Sequence, residues 1–444
     1  MNKLKSEKSI CDIAIRRDIH SLSKEEQLRF FRAAKQMLKS KEGKRGTSEF
    51  YRIGKIHGFP LEKGRTSIWC AHGIITFPAW HRAYVLEFEK ALQKADKEIN
   101  PEYKDSIALP YWDWTDFSTK KDYFPQILRD WKVGDYPDDF YEDDEFKALM
   151  EKDHIKERLP DQEYRERAEL QKLDELALSI FNYPHKTWSH NSYKGEPGSI
   201  ENPHNFMHNL IGPPMNQHEY AGYDLAFWLH HSNVDRFIQA RLKQDFNCGK
   251  DTNIEFEMDN PELFSKKLEP FKNDLTGTDF YPVDCYIEDT SKLGYTYDVL
   301  PQPNTLLERP RQPKSIFNIR IPIDNIYDLN IKFLSLFIKK KGVEIEIPNV
   351  YDYKKWILNE NYVGIDAVFV ANTRICSNCS NKQIVSFQFD TTQTLSKLNL
   401  KEEDAEGIVA FLDRNNNVIV PKEESFFKLK DFGFLTDLGL FDLL

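Results

Sequence analysis

The chain has 444 residues, more than one typical domain, and 40% of them are hydrophobic, which is enough for a substantial core. Its 61 basic and 71 acidic side chains give a formal net charge of -10, which argues against nucleic acid or an anionic membrane as the main partner. The six cysteines are too few for a disulfide scaffold in a chain of this length. No apolar run is long enough for a signal peptide or a membrane span, so we expect a soluble, cytoplasmic protein that acts on a small molecule.

The first part of the chain has the residue spacing of amphipathic helices. Apolar residues recur at helical intervals in residues 23–40, 78–99 and 224–242. The apolar stripe of the second helix includes His81, and that of the third helix includes His231. A histidine that faces the interior needs partners for its ring nitrogens, so both predicted helices point to a buried polar site.

After four prolines between residues 300 and 315, the hydrophobic pattern changes its period. Apolar and polar residues alternate in 343–347 and 385–389, and 408–420 is typical of two short strands around a turn. The sequence therefore predicts an all-β, sandwich-like domain that follows a proline-rich linker. The predicted division is a helical domain at 1–300, a linker at 301–314 and a β-rich covering domain at 315–444.

The distribution of the twelve histidines is the strongest functional signal in the sequence. His204 and His208 are four residues apart, so on a helix both rings share one face, and His231 is the inward member of the next helix. A second trio can form upstream, where His81 lies on a helix and two further histidines precede it in irregular segments. The predicted ligands are His57, His72 and His81 at one site and His204, His208 and His231 at the other.

The composition of these two trios restricts the metal. Imidazole nitrogen suits copper, although zinc, iron and nickel remain open on the ligand type alone. Magnesium and calcium are disfavoured, because they prefer oxygen ligands and the trios contain no carboxylate. The sequence therefore predicts two neighbouring transition-metal sites.

Four sequence runs carry a family resemblance. The runs CAHGIITFPAWHRAYVLEFEKAL and LPYWDWT, followed later by PHNFMHNLIGPPM and FWLHHSNVDRF, strongly resemble the two copper-binding regions of tyrosinases, catechol oxidases and molluscan hemocyanin units. IRRDIHSLSKEEQ and LGYTYD resemble the start and the end of the same domain, so the match covers roughly residues 14 to 300. The resemblance implies a mainly α catalytic domain in which a four-helix bundle surrounds a dinuclear type 3 copper centre with six histidine ligands.

The resemblance also assigns residues next to the ligands. Of the adjacent pair His230 and His231, the family uses the second as the ligand, which leaves His230 as a packing residue. Fungal tyrosinases and molluscan hemocyanins have a cysteine at the position of Cys70, where it is joined by a thioether to the histidine that matches His72. The resemblance implies the same bond here, and a simple buried thiol is the alternative.

Asp235 is a candidate for orienting a ligand, on the basis of its spacing alone. It lies one helical turn after His231, where its carboxylate can accept a hydrogen bond from the N–H of a metal-bound imidazole. The alternative is a surface aspartate that pairs with Arg236 or Lys243. Asp113 is a weaker candidate for the same role.

Three further residues are assigned by the resemblance to the substrate side of the site. In the family, an asparagine that follows the first ligand of the second copper holds a water together with a nearby glutamate, and that water removes the proton of a monophenol. Asn205 matches the asparagine, Glu201 is the candidate glutamate, and Glu196 is the reserve. Asn209, after His208, matches a position that faces the substrate and influences activity.

The function that the resemblance implies is oxidation of monophenols or o-diphenols to o-quinones, with dioxygen as the co-substrate of two copper ions. The alternative is a hemocyanin-like protein that binds dioxygen reversibly. Related latent oxidases and hemocyanins have a carboxyl-terminal domain that lays one side chain over the copper pair. The resemblance therefore predicts that residues 315–444 keep this chain latent, without indicating which side chain covers the site.

Overall fold

The structure is a computed structural model of the chain. It describes residues 13–39, 48–61, 68–117, 122–131, 158–181, 199–250, 257, 261–273, 277–303, 315–348, 351–369, 384–413, 417–421 and 432–434. Most of the predicted linker, from residue 304 to residue 314, lies outside the described residues. Within the described residues, no helix has both the length and the apolar character needed to cross a membrane.

The helices lie mainly in the first 300 residues. They are α1 (Lys24–Met37), α2 (Glu49–Gly54), α3 (Phe77–Ile99), α4 (Gln126–Arg129), α5 (Asp161–Leu170), α6 (Leu173–Leu178), α7 (Glu201–Ile211), α8 (Leu225–Asn247), α9 (Pro261–Phe264), α10 (Pro282–Cys285), α11 (Ile323–Asp328), α12 (Tyr353–Leu358) and α13 (Thr392–Leu398). Short 3₁₀ turns lie at Ser179–Phe181, Ala221–Tyr223, Thr290–Leu293 and Glu402–Asp404.

The strands of the described residues form four small sheets. The strands are β1 (Ala14–Arg16), β2 (Lys272–Asn273), β3 (Thr278–Asp279), β4 (Tyr295–Tyr297), β5 (Ile316–Pro322), β6 (Ile331–Lys340), β7 (Tyr362–Ala367), β8 (Ile384–Asp390), β9 (Ala405–Asp413), β10 (Val418–Ile419) and β11 (Gly433–Phe434). The larger sheets have the strand orders β10-β9-β6-β7 and β11-β5-β8, while β1 pairs with β4 and β2 pairs with β3.

The three predicted helices form close to their predicted bounds. Ser23 and Glu26 complete a capping box at the start of α1. Pro78 lies in the first turn of α3, where its missing N–H costs no helical hydrogen bond. The Asp224 side chain accepts the backbone N–H of Ala226 and begins α8. The helices α3 and α8 pack against each other in the main hydrophobic core, so their inward faces define the centre of the helical region.

The prediction of an all-β domain after the linker is confirmed only in part. Strands form at Ile384–Asp390, Ala405–Asp413 and Val418–Ile419 as predicted, but α11, α12 and α13 are interspersed among them. The prediction of a strand at 343–347 is wrong, because the strand is Ile331–Lys340. That strand lies between β9 and β7 and is buried on both faces, so its sequence is a nearly continuous apolar run without alternation.

A buried ion cluster joins the two ends of the helical region. The parallel pair β1 and β4 places Arg16 beside Tyr295 and Tyr297. The Asp235 carboxylate, from α8, accepts hydrogen bonds from Arg16, from Arg82 of α3 and from the hydroxyls of both tyrosines. Burial raises the pKa of Asp235, but the two guanidinium groups and the tyrosine hydrogen bonds outweigh it, so the pKa lies below its ordinary value.

This cluster predicts a large loss of stability in Asp235→Ala. The substitution leaves two buried guanidinium groups without their shared carboxylate, so we expect the free energy of unfolding to fall by about 3 to 5 kcal/mol in a urea titration. Asp105→Ala is the control, because Asp105 is an exposed partner of Arg29, and we expect that loss to stay below about 1 kcal/mol. Equal losses in the two variants would contradict the role of the cluster.

Candidate metal centre

Four helices of the core and the loops beside them bring the six predicted ligands together. Each of the six side chains is almost completely removed from solvent. Their rings lie against one another, with the His81 and His231 rings stacked at a centroid distance of 4.5 Å. The two trios are therefore adjacent parts of one centre. His57 follows α2, His72 lies in the loop before α3, His81 lies in α3, His204 and His208 lie in α7, and His231 lies in α8.

Oxygen atoms of the protein chain satisfy Nδ1 in four of the six imidazoles. In three of them Nδ1 lies within hydrogen-bond distance of a backbone carbonyl, and in the fourth it meets a side-chain amide oxygen. These bonds turn Nε2 of each ring toward the interior of the cluster. The Nδ1 partners are the carbonyl of His218 for His57 (2.7 Å), the carbonyl of Phe77 for His81 (2.8 Å), the carbonyl of Met215 for His208 (2.8 Å) and Asn205 Oδ1 for His204 (2.9 Å).

The inward Nε2 atoms have the arrangement expected of metal ligands. In the second trio, His231 Nε2 lies 3.2 Å from Nε2 of both His204 and His208. In the first trio, Nε2 of all three histidines is buried and has no hydrogen-bond partner in the described structure. Buried polar atoms without a partner are costly, and a metal ion in each trio would satisfy them. A dinuclear metal site can thus form at two groups of side chains in which all donor atoms lie within 4.8 Å of one another. The groups are His57, Cys70, His72 and His218, and His204, His208, His230 and His231. His81 lies beside the first group, with its ring centroid 4.8 Å from that of His72.

Burial also gives the rings the charge state that a metal requires. It lowers the pKa of His57 to about 4 and the pKa of the other five ligands well below the ordinary value. Neighbouring imidazoles add to this effect at most of these positions. The ligands are therefore neutral at physiological pH, and neutral imidazole is the form that binds a metal. A set of neutral nitrogens without a carboxylate fits copper.

Two histidines outside the predicted set complete the cluster. The His230 ring stacks on His204 at 5.1 Å, and burial lowers its pKa to about 3. His218 Nε2 lies 2.8 Å from Nδ1 of His72 and 3.3 Å from Sγ of Cys70. Sequence reasoning missed His218, because it lies in an irregular segment where no periodicity indicates the direction of a side chain.

Cys70 lies in the first trio, as the family resemblance implied. Its side chain is completely buried, and burial raises the pKa of the thiol well above its ordinary value. The sulfur and donor nitrogens of His57, His72 and His218 all lie within 4.8 Å of one another. This proximity is compatible with a thioether between Cys70 and His72, and that bond stays a prediction.

Glu201 and Asn205 lie one turn apart at the start of α7 and are both buried. The Glu201 carboxylate accepts the backbone N–H of Gly73, at 2.9 Å from Oε1, beside the ligand His72. Asn205 Oδ1 accepts the Nδ1–H of His204. Both residues therefore border the centre, and the bonds they make there position the loop of the first trio and a ring of the second.

Asn209 connects the centre to the carboxyl-terminal region. Its side-chain Nδ2 donates to the carbonyl of Lys332 at 2.7 Å and to the carbonyl of Val368 at 3.1 Å. Lys332 lies in β6, and Val368 directly follows β7. The carboxyl-terminal region thus holds the residue that the resemblance assigns to the substrate side.

The expectation that Asp235 orients a ligand ring is wrong. Nδ1 of His231 has no hydrogen-bond partner in the described structure, and Asp235 instead binds Arg16 and Arg82. The alternative of a surface ion pair with Arg236 is also wrong, because Arg236 pairs with Asp113. Spacing placed Asp235 near His231 correctly, but the two buried arginines compete for its carboxylate more strongly than a neutral imidazole does.

One aromatic side chain from the carboxyl-terminal region lies over the histidines. Phe369, two residues after β7, stacks on His208 with a centroid distance of 4.2 Å and an interplanar angle of 19°. Its ring also lies 5.7 Å from His72, 5.9 Å from His204 and 5.3 Å from His218. Phe369 is buried and therefore closes this side of the centre. No local pattern in the sequence distinguishes it from the other phenylalanines.

Comparison with known proteins agrees with this geometry. Residues 47–243 match a family model described as the common central domain of tyrosinase. Hemocyanin G-type, units Oda to Odg, of Enteroctopus dofleini is 27% identical over 332 residues, which cover 69% of this chain and 10% of that protein. Polyphenol oxidase 2 of Agaricus bisporus is 24% identical over 330 residues, which cover 59% of this chain and 57% of that protein.

The fold is shared with solved structures along most of the chain. An oxygen-bound mutant of Aspergillus oryzae pro-tyrosinase superposes with a TM-score of 0.62 at 19% sequence identity, covering 92% of this chain and 91% of that one. The present chain spans only about a tenth of the octopus hemocyanin, so that comparison concerns one part of the larger protein. The resemblance inferred from the histidine motifs is confirmed: residues 47–243 form the central domain of the type 3 copper protein family, which includes tyrosinases, polyphenol oxidases and hemocyanins.

Proposed function

We propose that the protein is a dioxygen-dependent phenol oxidase whose carboxyl-terminal region keeps it latent by placing Phe369 over a dicopper centre. The observation that carries the proposal is the stack of Phe369 on His208, above six inward histidines. A flat phenol that approached the second copper would occupy the space that this flat ring fills. Polyphenol oxidase 2 and the pro-tyrosinase are relatives whose names fit an oxidase with a precursor form.

The six histidines would hold the metal, and the protein around them would supply the remaining functions. A copper pair, when bound, supplies two-electron chemistry with dioxygen and phenols. Buried side chains around the cluster exclude water, which strengthens every polar interaction inside it. Asn205 holds the tautomer of His204 by accepting its Nδ1–H, and the Glu201 carboxylate lies one turn away as the candidate proton acceptor for a monophenol.

The covering region is attached to the helical region at points beside the centre. Asn209 donates to the carbonyl of Lys332 in β6 and to that of Val368, the residue before Phe369. The rings of Phe206 in α7 and Phe333 in β6 lie 5.4 Å apart. These contacts hold the segment that carries Phe369 against the helical region. Opening the site therefore requires several of these contacts to break at the same time.

A second group of contacts lies farther from the histidines. Glu166 of α5 accepts a hydrogen bond from the Tyr353 hydroxyl and pairs with Lys354 at 3.0 Å. The Arg167 guanidinium lies 5.0 Å from the centre of the Tyr353 ring. Exposed ion pairs of this kind contribute little individually. The buried contacts near Asn209 therefore dominate the free energy that keeps the site closed.

Reversible dioxygen binding is the second candidate function, and one observation favours it. The Phe369 ring stacked on His208 occupies the space that a phenol would need. Dioxygen is much smaller and can still reach the centre. The octopus relative is named a hemocyanin. Removal of Phe369 separates the two candidates, because an oxidase gains substrate access and an oxygen carrier gains no turnover.

The metal assignment predicts two copper ions per chain. Each trio provides three inward nitrogens, so copper-loaded protein should contain about two equivalents by elemental analysis. His208→Ala removes one ligand of the second trio, and we expect it to retain about one equivalent. His20→Ala is the control, since His20 lies outside the cluster and pairs with Asp18. One equivalent in the unmodified protein would contradict the assignment.

The role proposed for Asn205 predicts a difference between substrates. The proposal assigns the deprotonation of a monophenol to a water held beside Asn205 and Glu201, so Asn205→Ala should reduce monophenol turnover on the order of tenfold more than diphenol turnover. Asn205→Asp is the matched variant, because it keeps an oxygen that can accept Nδ1–H of His204. Copper content is measured for both variants. Equal losses for the two substrates at full copper content would reject the role.

The covering role predicts that Phe369→Ala activates the intact chain. Removing the ring opens the face of His208, so diphenol turnover should rise about tenfold, which corresponds to about 1.4 kcal/mol of the barrier. Copper content should not change, because Phe369 provides no ligand atom. Phe389→Ala is the control, since Phe389 is buried in the second hydrophobic cluster of the carboxyl-terminal region.

Two outcomes of this experiment would count against the proposal. If unmodified protein already oxidises catechols as fast as Phe369→Ala, the ring does not limit access. If Phe369→Ala binds two copper ions and dioxygen but oxidises no diphenol, the oxygen-binding function replaces the oxidase.

A further inference from the structure

We infer that His218 is a positioning residue of the metal centre, whose side chain holds His72 with Nε2 directed at the first metal ion. The inference depends on the proposed dicopper site but not on the reaction that the site performs. His218 lies in the segment between α7 and α8, and its side chain is buried within the first trio. His218 is not one of the six predicted ligands.

His72 differs from the other ligands of its trio in how Nδ1 is satisfied. His81 lies in a helix and uses the carbonyl four residues before it, and His57 uses the carbonyl of His218. His72 lies in an irregular loop, where no helical carbonyl is available to it. Its Nδ1 instead lies 2.8 Å from Nε2 of the His218 ring. The His218 ring therefore takes the place that a backbone carbonyl has for His57 and His81.

The positions of the protons follow from the need to bind a metal. A neutral imidazole has one N–H, and the metal must occupy the other nitrogen. If Nδ1–H of His72 donates to Nε2 of His218, the Nε2 lone pair of His72 is available to the metal. His218 then has its own proton on Nδ1, a buried atom with no hydrogen-bond partner in the described structure. The reverse arrangement would place a proton on His72 Nε2 and block the ligand.

One residue thus positions two ligands through different groups. The His218 carbonyl accepts Nδ1–H of His57 at 2.7 Å, and the His218 ring accepts Nδ1–H of His72. A substitution of His218 removes the second bond and keeps the first, because the carbonyl belongs to the main chain. The side-chain contribution can therefore be measured separately.

The competing arrangement is that His218 itself binds the metal. Its donor nitrogen lies within 4.8 Å of donor atoms of His57, Cys70 and His72, so the distances alone permit this. The two arrangements differ in what can replace the ring. A hydrogen-bond acceptor of similar length suffices for a positioning residue, whereas a copper(I) ligand requires a nitrogen or sulfur donor.

The experiment compares His218→Leu with His218→Gln by anaerobic titration of copper(I) against a chromophoric chelator. Loss of a partner that orients a ligand typically weakens metal binding about 10- to 100-fold. We expect this loss for one of the two copper ions in His218→Leu, with the other unchanged. His218→Gln places an amide oxygen near the position of Nε2, so most of the affinity should return. Gln217→Leu, an adjacent buried position, should bind both ions as the unmodified protein does.

Each outcome decides the inference. Full affinity for both ions in His218→Leu, or equal loss in the Leu and Gln variants, would overturn it. If His218→Leu does not fold, judged by a cooperative thermal transition of the metal-free protein, His218→Ala serves as the apolar variant, since it introduces no atom that can bind copper(I). Failure of the unmodified protein to bind two copper ions would reject the proposed function instead, so the two failures are distinguishable.

Discussion

The centre of this protein depends on the two nitrogens of each buried imidazole. A ring without solvent access needs a partner on both sides, and the chain provides an Nδ1 partner for five of the six ligands, which is an oxygen atom in four of them and the His218 ring for His72. The remaining nitrogen points into the cluster, where only a metal or another ring can satisfy it. Helices that carry the rings and loops that carry the acceptors must therefore be placed together, which explains why the surrounding core is so extensively buried.

The segment between α7 and α8 has a larger role than its irregular structure suggests. Its backbone carbonyls at Met215 and His218 orient one ligand in each trio. Main-chain acceptors are insensitive to side-chain substitution, so the ligand geometry depends on the path of this segment more than on its composition. Phe369 completes the enclosure from the carboxyl-terminal region, and its ring contacts both His208 and His218.

Local patterns in the sequence predicted the features that local physics determines. The caps of α1 and α8 and the shared face of His204 and His208 follow from residue spacing. Partners from distant parts of the chain were not predictable, because no periodicity connects His218 to His72 or Phe369 to His208. The family resemblance named the ligands but not these contacts. Asp235 shows the same limit within one helix, since its partners come from β1, α3 and β4.

The pairing of β1 with β4 places the first and last strands of the helical region side by side. Residues 14–16 and 295–297 are hydrogen-bonded neighbours, so the chain enters and leaves this region at almost the same place. A unit with adjacent entry and exit can be inserted into another protein, or joined in series with copies of itself, without stretching the connections. The strand pair thus closes the helical region at one place, while residues after Tyr297, such as Phe333 and Phe369, pack in the same hydrophobic core.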